Sequence, residues 1–190
     1  MGVSPFQTVG PYFDIFLRTR VPLRMVAPET RGQRISIDGV LYDGAGMVIP
    51  DGLVEIWQAD ADGRYAHPDD PRGASADPSF HGYGWRHTDT AGAFHFDTIK
   101  PGRIAALPAS PGGGEPQAPH IMVSVMGRGI LTRFITRLYF DDEAANARDA
   151  VLQLVPDARR HTLVARTTSP GVYQFDIRLQ GSGETVFFDA

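Results

Sequence analysis

The chain has 190 residues, 42% of them hydrophobic and 21% charged, with a net charge of −4. That is ample length for one domain with a sizeable core, and no basic run marks a nucleic-acid partner. With no cysteine there is neither a disulfide framework nor a thiolate metal site, and no window approaches the ~20 apolar residues of a membrane span.

The first residues lack a charged segment followed by an apolar one, so the expectation is a soluble, cytoplasmic protein without a secretion signal. Residues 4–16 are unusually apolar for a terminus, carrying Phe6, Val9, Tyr12, Phe13, Ile15 and Phe16. Pro5 and Gly10-Pro11 keep the segment extended and turned, so it should dock on its own sheet or on a partner. From Arg34 the period becomes two: Ile35 and Ile37 alternate with Ser36 and Asp38, and Val40–Tyr42 follows. Asp43-Gly44-Ala45-Gly46 closes a turn and Met47–Ile49 begins a return. Leu53–Trp57 is β-branched and aromatic with both faces largely apolar, which predicts a central strand. Asp60-Ala61-Asp62-Gly63 turns the chain, and Arg64-Tyr65 follows. Strands are also predicted at Ala93–Ile99, His120–Met126, Leu131–Phe140, Thr162–Arg166 and Val172–Leu179, with Thr185–Phe188 closing the sheet. Asp141–Leu154 has no Gly or Pro and predicts one short helix. About eight short strands separated by Gly/Asp turns predict an all-β, two-sheet β-sandwich in a single domain spanning residues 1–190.

Two connections exceed ordinary turns: His67–Gly84, and the Pro/Gly-rich Ala105–Pro119. Loops longer than about 12–15 residues are usually functional, and one follows Tyr65 while the other leads into His120. Both are expected at one end of the sandwich, which makes that end the candidate site. Tyr65 could be a metal-binding phenolate or a packed corner tyrosine; position alone favours packing. The six histidines show no helical i, i+4 pair, and His120-Ile121-Met122 has strand spacing with only one histidine. His67-Pro68-Asp69-Asp70 could hold a cation, though a solvated acidic loop is the favoured reading; His81 and His87 read as surface or hydrogen-bonded residues of the first long loop, and no phosphate loop, GxSxG or HExxH is present.

Several stretches, in order along nearly the whole chain, carry a family resemblance: Gln7-Thr8-Val9-Gly10-Pro11-Tyr12, Glu55-Ile56-Trp57-Gln58-Ala59-Asp60, Thr98-Ile99-Lys100-Pro101-Gly102 and Ala118-Pro119-His120-Ile121. Arg137–Ala144, Phe175–Gly181 and Glu184–Asp189 continue it. The chain resembles the intradiol ring-cleaving dioxygenases, and within them the alpha chains of two-chain, alpha-beta enzymes. Phe6 departs from the family, which usually has Ser before Gln-Thr. The resemblance implies a prealbumin-like sandwich with long loops at one end. It also implies an oxidoreductase that uses O2 to open 3,4-dihydroxybenzoate between its hydroxylated carbons, giving 3-carboxy-cis,cis-muconate.

Catalytic chains of the family hold non-haem ferric iron with two tyrosinates and two histidines. Carried over, the first Tyr matches Tyr65, the second falls on Ile104, the first His matches His120 and the second falls on Met122. An Arg that steadies the substrate falls on Gln117. Ile offers no donor and the Met thioether is a soft partner for a hard ferric ion. The resemblance therefore implies no metal and no catalytic residue in this chain, with the ferric iron in a homologous beta chain. It further implies that residues 1–16 form an arm over the partner's active site, where Thr8, Gly10, Pro11 and Tyr12 border the substrate. Arg128, flanked by Gly127 and Gly129, matches an arginine that reaches that pocket; a guanidinium suits a benzoate carboxylate. Arg133 and Arg137 read as structural or interface charges. The competing expectations are a non-enzymatic binding or scaffolding sandwich, and an alpha chain for a different aromatic acid.

Overall fold

The computed structural model describes residue 15, residues 24–106 and residues 114–189. Most of the arm, including Thr8, Gly10, Pro11 and Tyr12, lies outside the described residues. Among those described there are nine strands: β1 (Arg34–Tyr42), β2 (Leu53–Trp57), β3 (Tyr83–His87), β4 (Ala93–Ile99), β5 (His120–Met126), β6 (Phe134–Phe140), β7 (Val164–Ser169), β8 (Val172–Gln174) and β9 (Ile177–Arg178). Their order is β3-β2-β5-β6-β7-β8-β1-β4, with β9 alongside β1. β7 joins two layers: Ala165 pairs in parallel with Phe140 of β6, while Arg166 and Thr167 pair antiparallel with β8.

The alternation of β1 buries Ile35, Ile37 and Leu41 and turns Ser36 and Asp38 outward. Ile37, Phe94, Phe96 and Tyr173 of one layer meet Val54, Ile56, Ile121, Val123 and Leu138 of the other in a single apolar cluster. This is the two-sheet sandwich that the alternation predicts. Gly39 is required by close approach, since a Cβ there would lie 2.1 Å from the Phe175 carbonyl oxygen and 2.3 Å from the Phe94 ring.

β2 lies between β3 and β5, the central place expected of it. Irregular backbone is expected through the first long connection as far as Gly84; the structure corrects this, because Tyr83–His87 is the edge strand β3. Its short Tyr-Gly-Trp-Arg-His run hides its period behind Gly84, where a Cβ would meet the Met25 sulfur at 2.6 Å. β6 begins at Phe134 rather than Leu131. The Val172–Leu179 run breaks into β8 and β9, although Tyr173, Phe175 and Ile177 are buried as the alternation predicts. Thr185–Phe188 is not a strand; it is held by single backbone bonds, Thr185 N–H to Arg178 O (2.9 Å) and Phe188 N–H to Ile135 O (2.8 Å).

Helical turns at Ala144–Arg148, Ala150–Leu154 and Asp157–Arg160 replace the single short helix expected. They bring Ala145, Leu152 and Val155 onto Ala118 and Tyr139, covering part of the outward face of the β2–β5–β6 sheet. No helix among the described residues is long and apolar enough to cross a membrane.

Candidate functional site

On β5 the odd positions Ile121, Val123 and Val125 enter the core, so His120 and Met122 share the outward face. Register places Trp57 of β2 and Arg137 of β6 on either side of Met122, and Tyr139 opposite His120. The end of β2 and the start of β5 therefore coincide, and the segments after Tyr65 and before His120 meet at one end of the sandwich, as expected.

Tyr65 reaches this end through a tight turn. The Asp60 carboxylate accepts the N–H groups of Asp62 and Arg64, each at 2.9 Å, and of Asp77, also at 2.9 Å. Gly63 has φ +73°, and a Cβ there would lie 1.9 Å from the Arg103 carbonyl oxygen. The turn is thus seated on Gly102 and Arg103, immediately before Ile104. Tyr65 N–H donates to Asp70 Oδ2 (2.9 Å), and Arg72 braces the loop by donating to Asp70 Oδ2 (3.2 Å) and the Gly63 carbonyl (2.8 Å). The Tyr65 ring packs on Trp57 with centroids 4.5 Å apart. Burial pushes the phenol up to about 12, against the opposing pull of the Arg137 charge, so it is neutral at ordinary pH.

His120 is buried. Its Nδ1 lies 2.8 Å from the Ala118 carbonyl, which can only accept, so Nδ1 carries the proton and Nε2 the lone pair. Burial first, then the Arg137 charge, brings the imidazole down to about 4. Its ring lies 5.6 Å from that of Tyr139. Tyr139 donates to Asp149 Oδ1 (3.0 Å), and burial raises this phenol well above its ordinary range. Asp149 also caps the turn Ala150–Leu154 through the N–H groups of Val151 and Leu152, and accepts from Ala118 N–H at 2.8 Å. One buried carboxylate thus fixes the helical layer and the start of β5 together.

Ile104 is buried and bridged to Gln117, whose N–H donates to the Ile104 carbonyl at 2.8 Å. The Gln117 Oε1 accepts from Arg137 Nη1 (2.9 Å), and the same nitrogen lies 3.3 Å from the Tyr139 hydroxyl. Tyr65, Ile104, Gln117, His120 and Met122 thus gather at one end. Arg137 joins them through its bonds to Gln117 and Tyr139, a structural role on this face. Its only sequence signal is its place on the face of β6 opposite Leu138; the register that sets it against Met122 is a tertiary fact.

The residues present do not fit a ferric ion. Ile104 is hydrocarbon and Met122 offers a soft thioether, leaving Tyr65 and His120 as the two of the four positions with a suitable donor atom. Among the described residues no group of three or more His, Cys, Asp and Glu side chains is arranged to hold a metal.

Arg128 sits elsewhere. It follows the far end of β5, roughly 20 Å from His120 at ~3.3 Å per strand residue. Its side chain is 84% exposed and pairs with Asp51. It lines a cleft of about 920 Å³ floored by Phe134 and Phe187, whose rings lie 4.7 Å apart. The two ends of β5 therefore carry two separate features.

A family model described as "Dioxygenase" matches residues 10–181. The chain is 44% identical, over 98% of its length, to the protocatechuate 3,4-dioxygenase alpha chain of Burkholderia cepacia, of which it spans 96%. It is 39% identical, over 83% of its length, to the protocatechuate 3,4-dioxygenase beta chain of the same organism, of which it spans 68%. Among solved structures, the dioxygenase domain of a dioxygenase carbohydrate-binding protein fusion from the cellulolytic bacterium Streptomyces sp. SirexAA-E matches with a TM-score of 0.60 at 27% identity, covering 83% of this chain and 86% of that one.

Proposed function

The chain belongs to the intradiol dioxygenase family, and from that premise we propose that it is the alpha subunit of a protocatechuate 3,4-dioxygenase. The observation that carries this is its likeness to an alpha chain over almost the full length of both proteins. The donor set at Tyr65, Ile104, His120 and Met122 supports a subunit that does not bind the metal. Its partner is a homologous beta chain, and the likeness of this chain to both alpha and beta relatives supports a hetero-oligomer of the two. The holoenzyme opens 3,4-dihydroxybenzoate with O2 between the hydroxylated carbons, giving 3-carboxy-cis,cis-muconate. Ferric iron held by the beta chain supplies the activation of the catechol toward O2.

This chain binds and orients. The arm, residues 1–16, lies on the partner, with Thr8, Gly10, Pro11 and Tyr12 along the substrate. Arg128 presents a permanently charged guanidinium to the substrate carboxylate. Its exposure, and its distance from the chain's own degenerate positions, support a role toward a pocket outside this chain. In such cofactor chemistry the protein contributes orientation and electrostatics.

The test is to purify the full chain alone and co-expressed with its candidate beta partner. Iron, the visible tyrosinate-to-iron band and 3,4-dihydroxybenzoate-dependent O2 uptake are expected only in the co-expressed sample. Iron and uptake in the lone chain would overturn the assignment. A panel of hydroxylated aromatic acids on the complex separates this substrate from its analogues.

A further inference from the structure

The outward face that gathers Tyr65, Gln117, His120 and Met122 lacks two metal donors, and it also holds a cation of its own. Arg137 projects from β6 as the register partner of Met122, two residues from Tyr139 on the same face. It is half-buried, and its Nη1 is held by the Gln117 amide oxygen at 2.9 Å with the Tyr139 hydroxyl at 3.3 Å. Both partners are neutral, so neither cancels the charge. Asp149, the acid of this network, accepts three backbone N–H groups and the Tyr139 hydroxyl; its charge offsets part of the Arg137 field, but among the described residues it forms no ion pair with the guanidinium. A guanidinium stays protonated at every accessible pH. The Tyr139 ring that it touches lies 5.6 Å from the His120 ring, and Met122 stands opposite it across the sheet, so the charge sits beside the remaining donors.

We propose that Arg137 is itself a metal-excluding residue, keeping this face free of cations by charge, independently of the donors missing at positions 104 and 122. A fixed positive charge among the remaining donors repels any incoming cation, and most strongly a trivalent one, in a partly desolvated setting where screening is weak. Restoring the two donors would therefore not restore a metal site. The proposal rests on family membership, which supplies the donor positions, and not on the identity of the substrate.

The experiment uses the alpha-beta complex carrying Ile104→Tyr and Met122→His, with Arg137 retained, changed to Gln or changed to Lys. Gln can still hydrogen-bond Gln117, and Lys keeps the charge. Iron per pair is read by elemental analysis as the difference from the unmodified complex, so partial loading of the partner and failure of the substrate assignment both drop out. No added iron is expected with Arg or Lys at position 137, and close to one added iron per pair with Gln. Equal added iron in all three, or none with Gln, overturns the proposal. A second measurement serves if the restored variants fail to fold: Co2+ titration of the full chain with Arg137→Gln alone. Its affinity should rise about tenfold over wild type, while Arg137→Lys leaves it unchanged. An unchanged Co2+ affinity in Arg137→Gln overturns the proposal as well.

Discussion

His120 and Arg128 show how a side chain's surroundings set what it can do. His120 titrates near 4 in the fold against 6.5 when unhindered, because burial and the Arg137 charge both oppose the imidazolium. Its folded value is the lower one, so its contribution is full above about 6.5 and is lost as pH falls toward about 4. The expected loss over that window is about 3 kcal/mol, since each tenfold change in proton affinity is worth ~1.4 kcal/mol. Denaturant titrations at a series of pH values should show this acid limb, and His120→Gln should flatten it. Arg128 is the opposite case, an exposed guanidinium whose pairing with Asp51 contributes little to stability. Arg128→Ala should raise the KM of the complex for 3,4-dihydroxybenzoate about tenfold or more, leaving iron content and assembly intact. An unchanged KM would remove Arg128 from the site.

Turns and strand pairs carry the next set of consequences. The Asp60–Tyr65 turn depends on Gly63, which combines positive φ with contact against Arg103. Gly63→Ala should destabilise the chain by about 2 kcal/mol or more, read as a lower urea midpoint, and should loosen the stack of Tyr65 on Trp57. On the outer face of β1 and β4, His95 lies between Asp38 (2.7 Å) and Asp97 (3.2 Å). The hydrogen bond that His95 donates to the Asp38 carboxylate leads the causes that raise its pKa, against some burial. The sign is therefore opposite to that of His120: the stabilisation is present below about 6.5 and fades as pH rises through the raised value. Because His95 is half-exposed, solvent screens the effect. A small drop in melting temperature between about pH 6 and pH 9, absent in His95→Gln, is the expected signature.

At the scale of the whole molecule, the sandwich places two features at opposite ends of β5: the cluster around His120, and the cleft that Arg128 lines. Leu131, 62% exposed beside that cleft, and Trp57, 43% exposed at the other end, leave apolar surface at both. A subunit built to pair should gain stability from its partner by mass action. The complex is therefore expected to melt above the lone chain, with a midpoint that falls on dilution. A lone chain as stable as the complex would count against pairing.

Local chemistry made most of the strands legible: the alternation of β1, β4 and β5 follows from side chains pointing to opposite faces, and the Asp/Gly turns follow from backbone freedom. The same short-range information missed β3, whose period is broken by Gly84, and it overextended the Val172–Leu179 run. Family resemblance picked out Tyr65, Ile104, Gln117, His120 and Met122, which lie at one end of the sandwich. Arg137 stayed hidden because nothing in its own stretch distinguishes it from any outward-facing strand cation. Its meaning comes from register, which sets β6 beside β5 and brings Arg137 opposite Met122 and within hydrogen-bond reach of Gln117. Residue type alone made the alternation of most strands legible; pairing across the sheet decided which cation stands beside Gln117 and Met122, because that depends on neighbours far apart in the chain.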